Sequence, residues 1–358
     1  MKHLFSSLVA VLIFVSGHAQ ISITASDMPV AGDMLGYGIA STTGVTISPG
    51  DSGANFAWNY ALTPVGQSID SYKTAEQVNL LYTLTVGSSA FGYEVADSIP
   101  GIGAILPVTI QQLYTFFEEK SSPSRYEAMA FAANISGLPA AFQYSQPDVW
   151  YYFPLTYLNY DSTAYSLDIA LDTTGIKESG YRKTRVDGWG TIVTPYFTTP
   201  VNCIRVRSEK HEIDSVSFSG FTFGIPNNTV EYKWLVNGSH FPALWVTSSL
   251  IGGSETITSI WYRDTVIDTS TMINNAAPTV VKARTDIIAY PNPTASGLTT
   301  IDVPADWKSF IIALFDMNGK EVAVFRNDRN INIQSLSSGQ YVARVVSGAN
   351  VAYIPITR

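Results

Sequence analysis

The chain has 358 residues and 46% of them are hydrophobic, so it can bury a substantial core and is not a disordered protein. Only 14% are charged and the formal net charge is −8, which argues against nucleic acid or an anionic membrane surface as a partner. The single cysteine, Cys203, excludes an internal disulfide and any metal site built from several thiolates.

The first 19 residues have the pattern of a signal peptide. Lys2 gives a positive start, residues 4–15 are mostly apolar, and the small residues Gly17 and Ala19 precede Gln20. We predict cleavage between Ala19 and Gln20. The apolar stretch is too short to span a hydrocarbon layer of about 30 Å as a helix. No later segment is long enough, so no transmembrane segment is expected in the mature protein.

After Gln20, short apolar and aromatic runs alternate with clusters of Gly, Pro, Asn and Asp, which is typical of strands joined by turns. We therefore predict an all-β fold. Its first part is a large antiparallel β-sheet domain, as a curved sheet, half-barrel or sandwich, and its second is a small Ig-like β-sandwich. The predicted strands of the first part are 80–86, 113–120, 126–135, 150–157, 165–171, 191–196, 202–209, 212–218, 230–235, 243–249 and 256–263.

The boundary between the two parts follows from composition. Residues 265–286 contain no aromatic side chain and are rich in small and polar residues, which is typical of a linker. We predict a body at 20–268, a linker at 269–286 and a C-terminal domain at 287–358.

The sequence of residues 287–358 predicts a compact set of short strands. Prolines on both sides of Asn292 favour an extended entry. The apolar run 311–315 leads into a turn at Asn318 and Gly319, a pair that supports the left-handed dihedrals of a tight hairpin. Six or seven strands in about 70 residues predict a small sandwich. Pro355 falls in the last strand, where a residue without an N–H weakens the predicted pairing.

This segment resembles the type A C-terminal sorting domain of the type IX secretion system. The resemblance implies the type IX translocon and its sortase as partners, entry into the periplasm, and then passage through the outer membrane. The mature protein would be secreted or held at the cell surface, with the tail commonly removed. The residues that carry the resemblance are Tyr290, Pro291, Asn292, Pro293, Gly297, Asp316, Asn318, Gly319, Lys320, Leu336, Gly339 and Tyr341.

Candidate catalytic and metal-binding groups are scarce in the body. Only His211 and His240 remain after the signal peptide, and neither has a second histidine at ligand spacing. Glu118 and Glu119 are adjacent, so on a strand they face opposite sides and cannot act as a pair. Cys203 lies in an alternating run and is interpreted as a small buried hydrophobe. We predict no catalytic residue, no metal and no cofactor.

Two stretches of the body have distinctive sequences. The aromatic rings of residues 150–153 alternate between the two faces of a predicted strand. Exposed rings could stack on sugars, whereas buried rings would fill the core, and we favour the core. Residues 180–191 are predicted to form a strand that ends in a Gly-Trp-Gly corner. Arg205 and Arg207 share one face of the following strand and are expected to meet solvent or acidic neighbours.

Two functional hypotheses remain open. The leading one is a non-enzymatic body that binds a glycan or an apolar small ligand. The alternative is a hydrolase acting on extracellular glycan or peptide, with acids drawn from scattered Asp and Glu residues. Two carboxylates close together in a cleft would favour the hydrolase. An apolar concavity would favour the binding of a small ligand, and exposed coplanar rings would favour the binding of a glycan.

Overall fold

The computed structural model describes residues 20–98, 109–171, 174–218, 221–265, 287–316, 320–347 and 350–358. The predicted signal peptide with Ala19, the predicted linker, and the turn residues Asn318 and Gly319 lie outside these ranges. No helix within them combines the length and the apolar character needed to cross a bilayer.

Fifteen strands of the described chain form one large sheet. In chain order they are β1 (Met34–Ala40), β2 (Gly53–Asn59), β3 (Pro64–Ser71), β4 (Lys73–Thr74), β5 (Phe91–Ser98), β6 (Ile110–Ser121), β7 (Ser124–Ile135), β8 (Leu138–Tyr152), β9 (Tyr160–Leu171), β10 (Thr174–Val193), β11 (Val201–Phe218), β12 (Phe221–Pro226), β13 (Thr229–Leu235), β14 (Leu244–Ile251) and β15 (Ser254–Arg263). The helical pieces are short: α1 (Ala75–Val78), α2 (Thr83–Val86), and 3-10 turns at Ala25–Asp27 and Leu80–Tyr82.

The sheet curls back on itself. Its strand order is β3-β1-β15-β14-β13-β11-β10-β9-β8-β7-β6-β5-β4, with β12 beside β11 and β2 beside β10. The two ends of this path, β3 and β4, are separated in the chain by Tyr72 alone, so the edge strands are brought together. All pairings but the parallel β2–β10 pair are antiparallel. The predicted all-β fold with a large, curved antiparallel sheet is confirmed.

The predicted strand at 80–86 is wrong, because these residues form the 3-10 turn and α2. The side chain of Asn79 accepts a hydrogen bond from the Leu81 N–H at 3.0 Å and so starts a helical turn. Leu80 and Leu84 are 66% and 83% exposed, whereas Tyr82 and Val86 are buried, so only one side of this helical turn packs into the core. The predicted strands 202–209 and 212–218 are one continuous strand, β11.

The predicted Gly-Trp-Gly corner is also wrong, because β10 continues through it to Val193. A register shift between Val186 and Gly188 in the ladder with β11 marks a β-bulge, which bends the strand without ending it. A Cβ atom on Gly190 would lie 1.9 Å from the carbonyl oxygen of Phe56 on β2. Glycine is therefore required where β2 approaches β10.

The C-terminal segment forms the predicted small sandwich, with a three-stranded sheet β16-β17-β20 and a four-stranded sheet β19-β18-β21-β22. Side chains from both sheets, such as Ile301, Leu314 and Ile331, share one core with Trp307. The strands are β16 (Ala289–Tyr290), β17 (Leu298–Ile301), β18 (Ile311–Asp316), β19 (Glu321–Arg326), β20 (Asn330–Asn332), β21 (Gln340–Ser347) and β22 (Asn350–Thr357).

Pro355 does not interrupt the last strand. It pairs with Val342 inside a ladder that runs from Gln340↔Thr357 to Ser347↔Asn350. Because β22 is the outermost strand of its sheet, the missing N–H costs no ladder hydrogen bond on its open side.

Candidate functional site

A network of buried charges crosses the interior of the curled sheet. Arg182 of β10 is only 2% exposed, and its Nε and Nη2 donate to Asp148 of β8 at 2.8 and 2.7 Å. Its Nη1 donates to Glu231 of β13 at 2.7 Å. The guanidinium thus reaches across one strand on either side, which the concave curvature of this face permits. We call Asp148, Arg182, Glu231 and Lys233 the buried ion network.

Lys233 extends the network between two indole rings. Its ammonium lies 3.9 Å from the ring centroid of Trp150 and 4.0 Å from that of Trp245, and it donates to Glu231 at 3.3 Å. Burial lowers the pKa of Lys233 to about 8, and Glu231 partly opposes this shift. Burial alone would raise the pKa of Glu231, but Lys233 and Arg182 outweigh it and lower that pKa to about 2.

A small aromatic pocket lies beside Lys233, with a volume of about 40 Å³. The Tyr126 hydroxyl and the Trp245 indole N–H are buried there and have no hydrogen-bond partner among the described residues. A buried donor without a partner costs about 1–3 kcal/mol, so an occupant of the pocket that reached either group with an acceptor would remove this cost. Its lining comprises Ile23, Asp27, Met28, Pro29, Tyr72, Tyr126, Trp150, Tyr151, Lys233, Leu235, Val236, His240, Phe241, Pro242 and Trp245.

The loop after β13 closes one side of this aromatic pocket. Asp27 holds the loop by accepting hydrogen bonds from the Gly238 N–H at 2.7 Å and from Asn237 at 3.3 Å. Burial would raise the pKa of Asp27, but the hydrogen bonds that it accepts outweigh this and lower it. His240 Nδ1 lies 2.7 Å from Asp33 Oδ2, which fixes the imidazole ring at the lining.

A second group of charges, the carboxylate cluster, contains Glu178 of β10 with Glu212 and Asp214 of β11. Lys210 Nζ lies 2.9 Å from Glu212 and 3.9 Å from Glu178, and the Tyr165 hydroxyl donates to Glu212 at 2.7 Å. Burial, with the charge of Glu212, raises the pKa of Glu178 well above its usual range. Lys210 overcomes the effect of burial on Glu212 and lowers its pKa to about 2. The cluster therefore places a carboxyl group whose pKa is raised beside one whose pKa is lowered.

Asp214 makes stability depend on pH. Burial and the charge of Glu212 raise its pKa from 3.8 to about 7. Between those pH values the folded chain holds a proton that the unfolded chain has lost, so the free energy of unfolding falls as pH rises. We expect D214N to flatten this part of the curve in urea denaturation across pH 4–7, whereas D168N, at an exposed position of β9, retains it. An unchanged slope in D214N would contradict the assignment.

The cysteine, histidines and glutamates considered as candidate catalytic or metal-binding groups in the sequence analysis are members of neither charge group. Cys203 is 1% exposed and burial raises the pKa of its thiol, so it packs as a small hydrophobe. His211 stacks on Tyr181 with ring centroids 4.7 Å apart. Glu118 is paired with Lys120 at 2.7 Å.

Arg205 meets an acidic neighbour, as expected, and no solvent. It is fully buried, with Asp187 at 2.8 and 2.9 Å and the carbonyls of residues 48–49 at 3.0 and 2.9 Å. Arg207 does meet acidic neighbours, including Glu255 at 3.1 Å. The loop before β2 covers this face of the sheet, so both faces of β11 are buried here.

The buried ion network is what the sequence analysis missed. Glu231 and Lys233 alternate with Tyr232 and Trp234, a pattern that indicates a solvent-facing side for the charges. The structure buries both sides of β13. No signal in the sequence could have shown this, since Arg182 is 49 positions from Glu231. Within the described ranges, no group of three or more His, Cys, Asp or Glu side chains is placed to hold a metal.

In the C-terminal segment, the Tyr-Pro-Asn-Pro motif joins the first residues of the domain to its last strand through hydrogen bonds. Asn292 Nδ2 donates to the Pro355 carbonyl at 2.7 Å, and its Oδ1 accepts from the Thr357 N–H at 2.8 Å. Tyr290, Pro291 and Pro293 flank this contact and are exposed. The motif therefore stabilises the C-terminal edge of the sandwich.

The other motif residues also have structural roles. Gly297 has φ 73° and a Cβ there would lie 2.8 Å from Gln334 Cα, so the position requires glycine. Gly339 exchanges two backbone hydrogen bonds with Arg358, and the Tyr341 hydroxyl donates to the Ser337 carbonyl at 2.6 Å. Leu336 packs against the core. Asp316 accepts from the Lys320 N–H at 3.0 Å and closes the hairpin between β18 and β19.

Comparison with known proteins gives one match. Residues 288–354 match the family model of the secretion system C-terminal sorting domain. Neither a curated protein nor a solved structure matches the chain. The match covers the sandwich and the motif residues just described, and it supports export from the cell by type IX secretion. The C-terminal segment of this chain is a type IX secretion C-terminal sorting domain.

Proposed function

We propose that the protein is a cargo of the type IX secretion system. Cleavage between Ala19 and Gln20 releases the chain into the periplasm, and the sorting domain, residues 287–358, is then recognised by the translocon and its sortase. The body, residues 20–268, functions at the cell surface or in the medium, and residues 269–286 join the two. The match to the sorting domain supports this route.

For the body, we propose the binding of a narrow apolar ligand that carries a hydrogen-bond acceptor at one end. The observation that carries this proposal is the pair of unpartnered buried donors, Tyr126 Oη and Trp245 Nε1, on two residues that line the aromatic pocket. A volume of about 40 Å³ admits an unbranched chain end rather than a ring. The pocket supports a glycan less well, because Trp150 packs against Phe117 and Trp245 instead of presenting a free face.

Fluorescence titration tests this proposal. The quenching of the tryptophan fluorescence of the mature chain, to which Trp150 and Trp245 contribute, is measured against dodecanoate below its micelle concentration. We expect saturable binding, and we expect Y126F to weaken it about three- to tenfold through loss of one hydrogen bond. The removal of a single oxygen leaves the packing of the ring in place.

Y152F is the matched control, because Tyr152 is half-buried and does not line the aromatic pocket. Its affinity should equal that of the unmodified chain. Absence of saturable quenching, or equal weakening in Y126F and Y152F, would exclude this site.

A second candidate function, hydrolysis of an extracellular glycan or peptide, is favoured by the carboxylate cluster. Glu178 with a raised pKa and Glu212 with a lowered pKa provide a general acid beside a base. Release of reducing ends or of new amino termini from polymer substrates tests it. The hydrolase predicts activity that E178Q abolishes and D168N leaves intact; no release by the unmodified chain rejects it.

A further inference from the structure

The sorting domain packs directly on the body. One face of its four-stranded sheet lies against the end of the large sheet near β12 and β14. The apolar contact is formed by Ile225 and Ile251 of the body with Ile311, Ala313, Phe315 and Val346 of the sorting domain. We call this contact the seam.

A buried arginine lies in the seam. Arg344 of β21 is only 4% exposed, and its Nη2 donates to Asn227 Oδ1 and Ser249 Oγ, both at 3.1 Å, across the seam. Its Nη1 lies 3.5 Å from the Pro226 carbonyl oxygen. All of these acceptors belong to the body, so Arg344 links the two domains.

The positive charge of Arg344 is not neutralised by a direct partner. Its acceptors are a carbonyl, an amide and a hydroxyl, and no ion pair joins it to a carboxylate of the described chain. Its Nε is buried and has no hydrogen-bond partner within the same residues. Buried charges in proteins are normally paired, because the cost of removing an ion from water is several kcal/mol.

A cavity of about 260 Å³ opens beside this guanidinium. Asn228 and the Gly252-Gly253 turn of the body line one side of it, and Phe315 and Arg344 of the sorting domain line the other. Its size is near the lower end of the ~300–1,000 Å³ typical of ligand sites.

We propose that this cavity binds a small oxyanion, a phosphate or a carboxylate, held by Arg344 at the seam. The planar guanidinium donates to such groups through charge-assisted hydrogen bonds, and Arg344 lines the cavity. An anion bound there contacts both domains. Its binding therefore favours the docked sorting domain over the separated one.

Asp214 of the body interacts electrostatically with Arg344 without forming an ion pair with it. Glu321 is the competing counter-ion at the cavity itself. It lines the same cavity from the sorting domain, and it is exposed to solvent. Because water and salt screen an exposed charge, it neutralises a buried guanidinium poorly. Its negative charge should nevertheless weaken the binding of an incoming anion.

Isothermal titration calorimetry of residues 20–358, with the sorting domain retained, tests the site at low ionic strength, with sodium phosphate and sodium acetate as separate probes. We expect saturable binding at one site for at least one of them, and the tighter probe identifies the ligand class. R344Q should weaken it at least about tenfold. R326Q, which removes the same charge from an exposed position of β19, should leave it unchanged.

E321K provides a test that alters no buried group. It places a cation at the rim of the cavity and should tighten anion binding at least about threefold at low salt. Failure of both probes to bind the unmodified chain overturns the proposal. So does equal affinity in R344Q and R326Q, or an affinity that E321K leaves unchanged.

Discussion

Replacing Arg182 with methionine is expected to lower the free energy of unfolding of the body by about 3–5 kcal/mol. Methionine fills a similar volume but removes the cation that lies 2.7 Å from both Asp148 and Glu231. Asp148 then loses its ion pair with Arg182, and Glu231 keeps only its ion pair with Lys233 among those described here. Guanidinium denaturation, followed through the fluorescence of the buried tryptophans, measures the loss.

R185M is the matched control, because Arg185 is exposed on the same strand. It should change the free energy of unfolding by no more than about 0.5 kcal/mol. A quadruple variant, D148L/R182M/E231L/K233M, should recover most of the stability, since it removes all four charges of the buried ion network together. If R182M unfolds at the same denaturant concentration as R185M, the guanidinium does not neutralise the carboxylates as the structure indicates.

The network also couples stability to the aromatic pocket. The positive charge of Arg182 contributes to the lowered pKa of Lys233, after the larger effect of burial. Losing Arg182 would raise the pKa of Lys233 and strengthen its attraction to Glu231. The position of the ammonium between Trp150 and Trp245 therefore depends on a residue that does not line the pocket.

Much of the fold could be predicted because its strands carry local signals. Residues 126–135 form a strand in spite of their alanines, since the turn at Ser122 and Pro123 brings them back against β6. The strand predicted at 80–86 is wrong for a local reason too. Asn79 starts a turn there, and apolar content alone does not distinguish a helical turn from a strand.

The site could not be predicted in the same way. Alternation along β13 shows that Glu231 and Lys233 share a face, but the curvature that buries this face is a property of the whole sheet. Asp148 and Arg182 are 34 positions apart, and their pairing needs the register of β8, β9 and β10. The sorting domain differs, because its motif residues fold within one short segment whose order along the chain is itself distinctive.

Removing residues 287–358 is expected to abolish export and leave the body in the periplasm, because the sorting domain is the element that directs type IX secretion. Cell fractionation with mass mapping of both termini measures this in cells with and without the secretion channel. In the unmodified chain we expect a new amino terminus at Gln20 and extracellular signal only when the channel is present.

A single substitution at Asn292 also tests the role of the sorting domain in export. N292A removes the hydrogen bonds to Pro355 and Thr357, at about 0.5–1.5 kcal/mol each, and frees the end of β22 from the entry of the domain. Since the sandwich core remains, we expect a folded chain whose extracellular fraction falls. Q340A, at an exposed position of β21, is the control and should be exported normally. Full export of the truncated chain, or periplasmic retention of the unmodified one in cells with the channel, would contradict the assigned route.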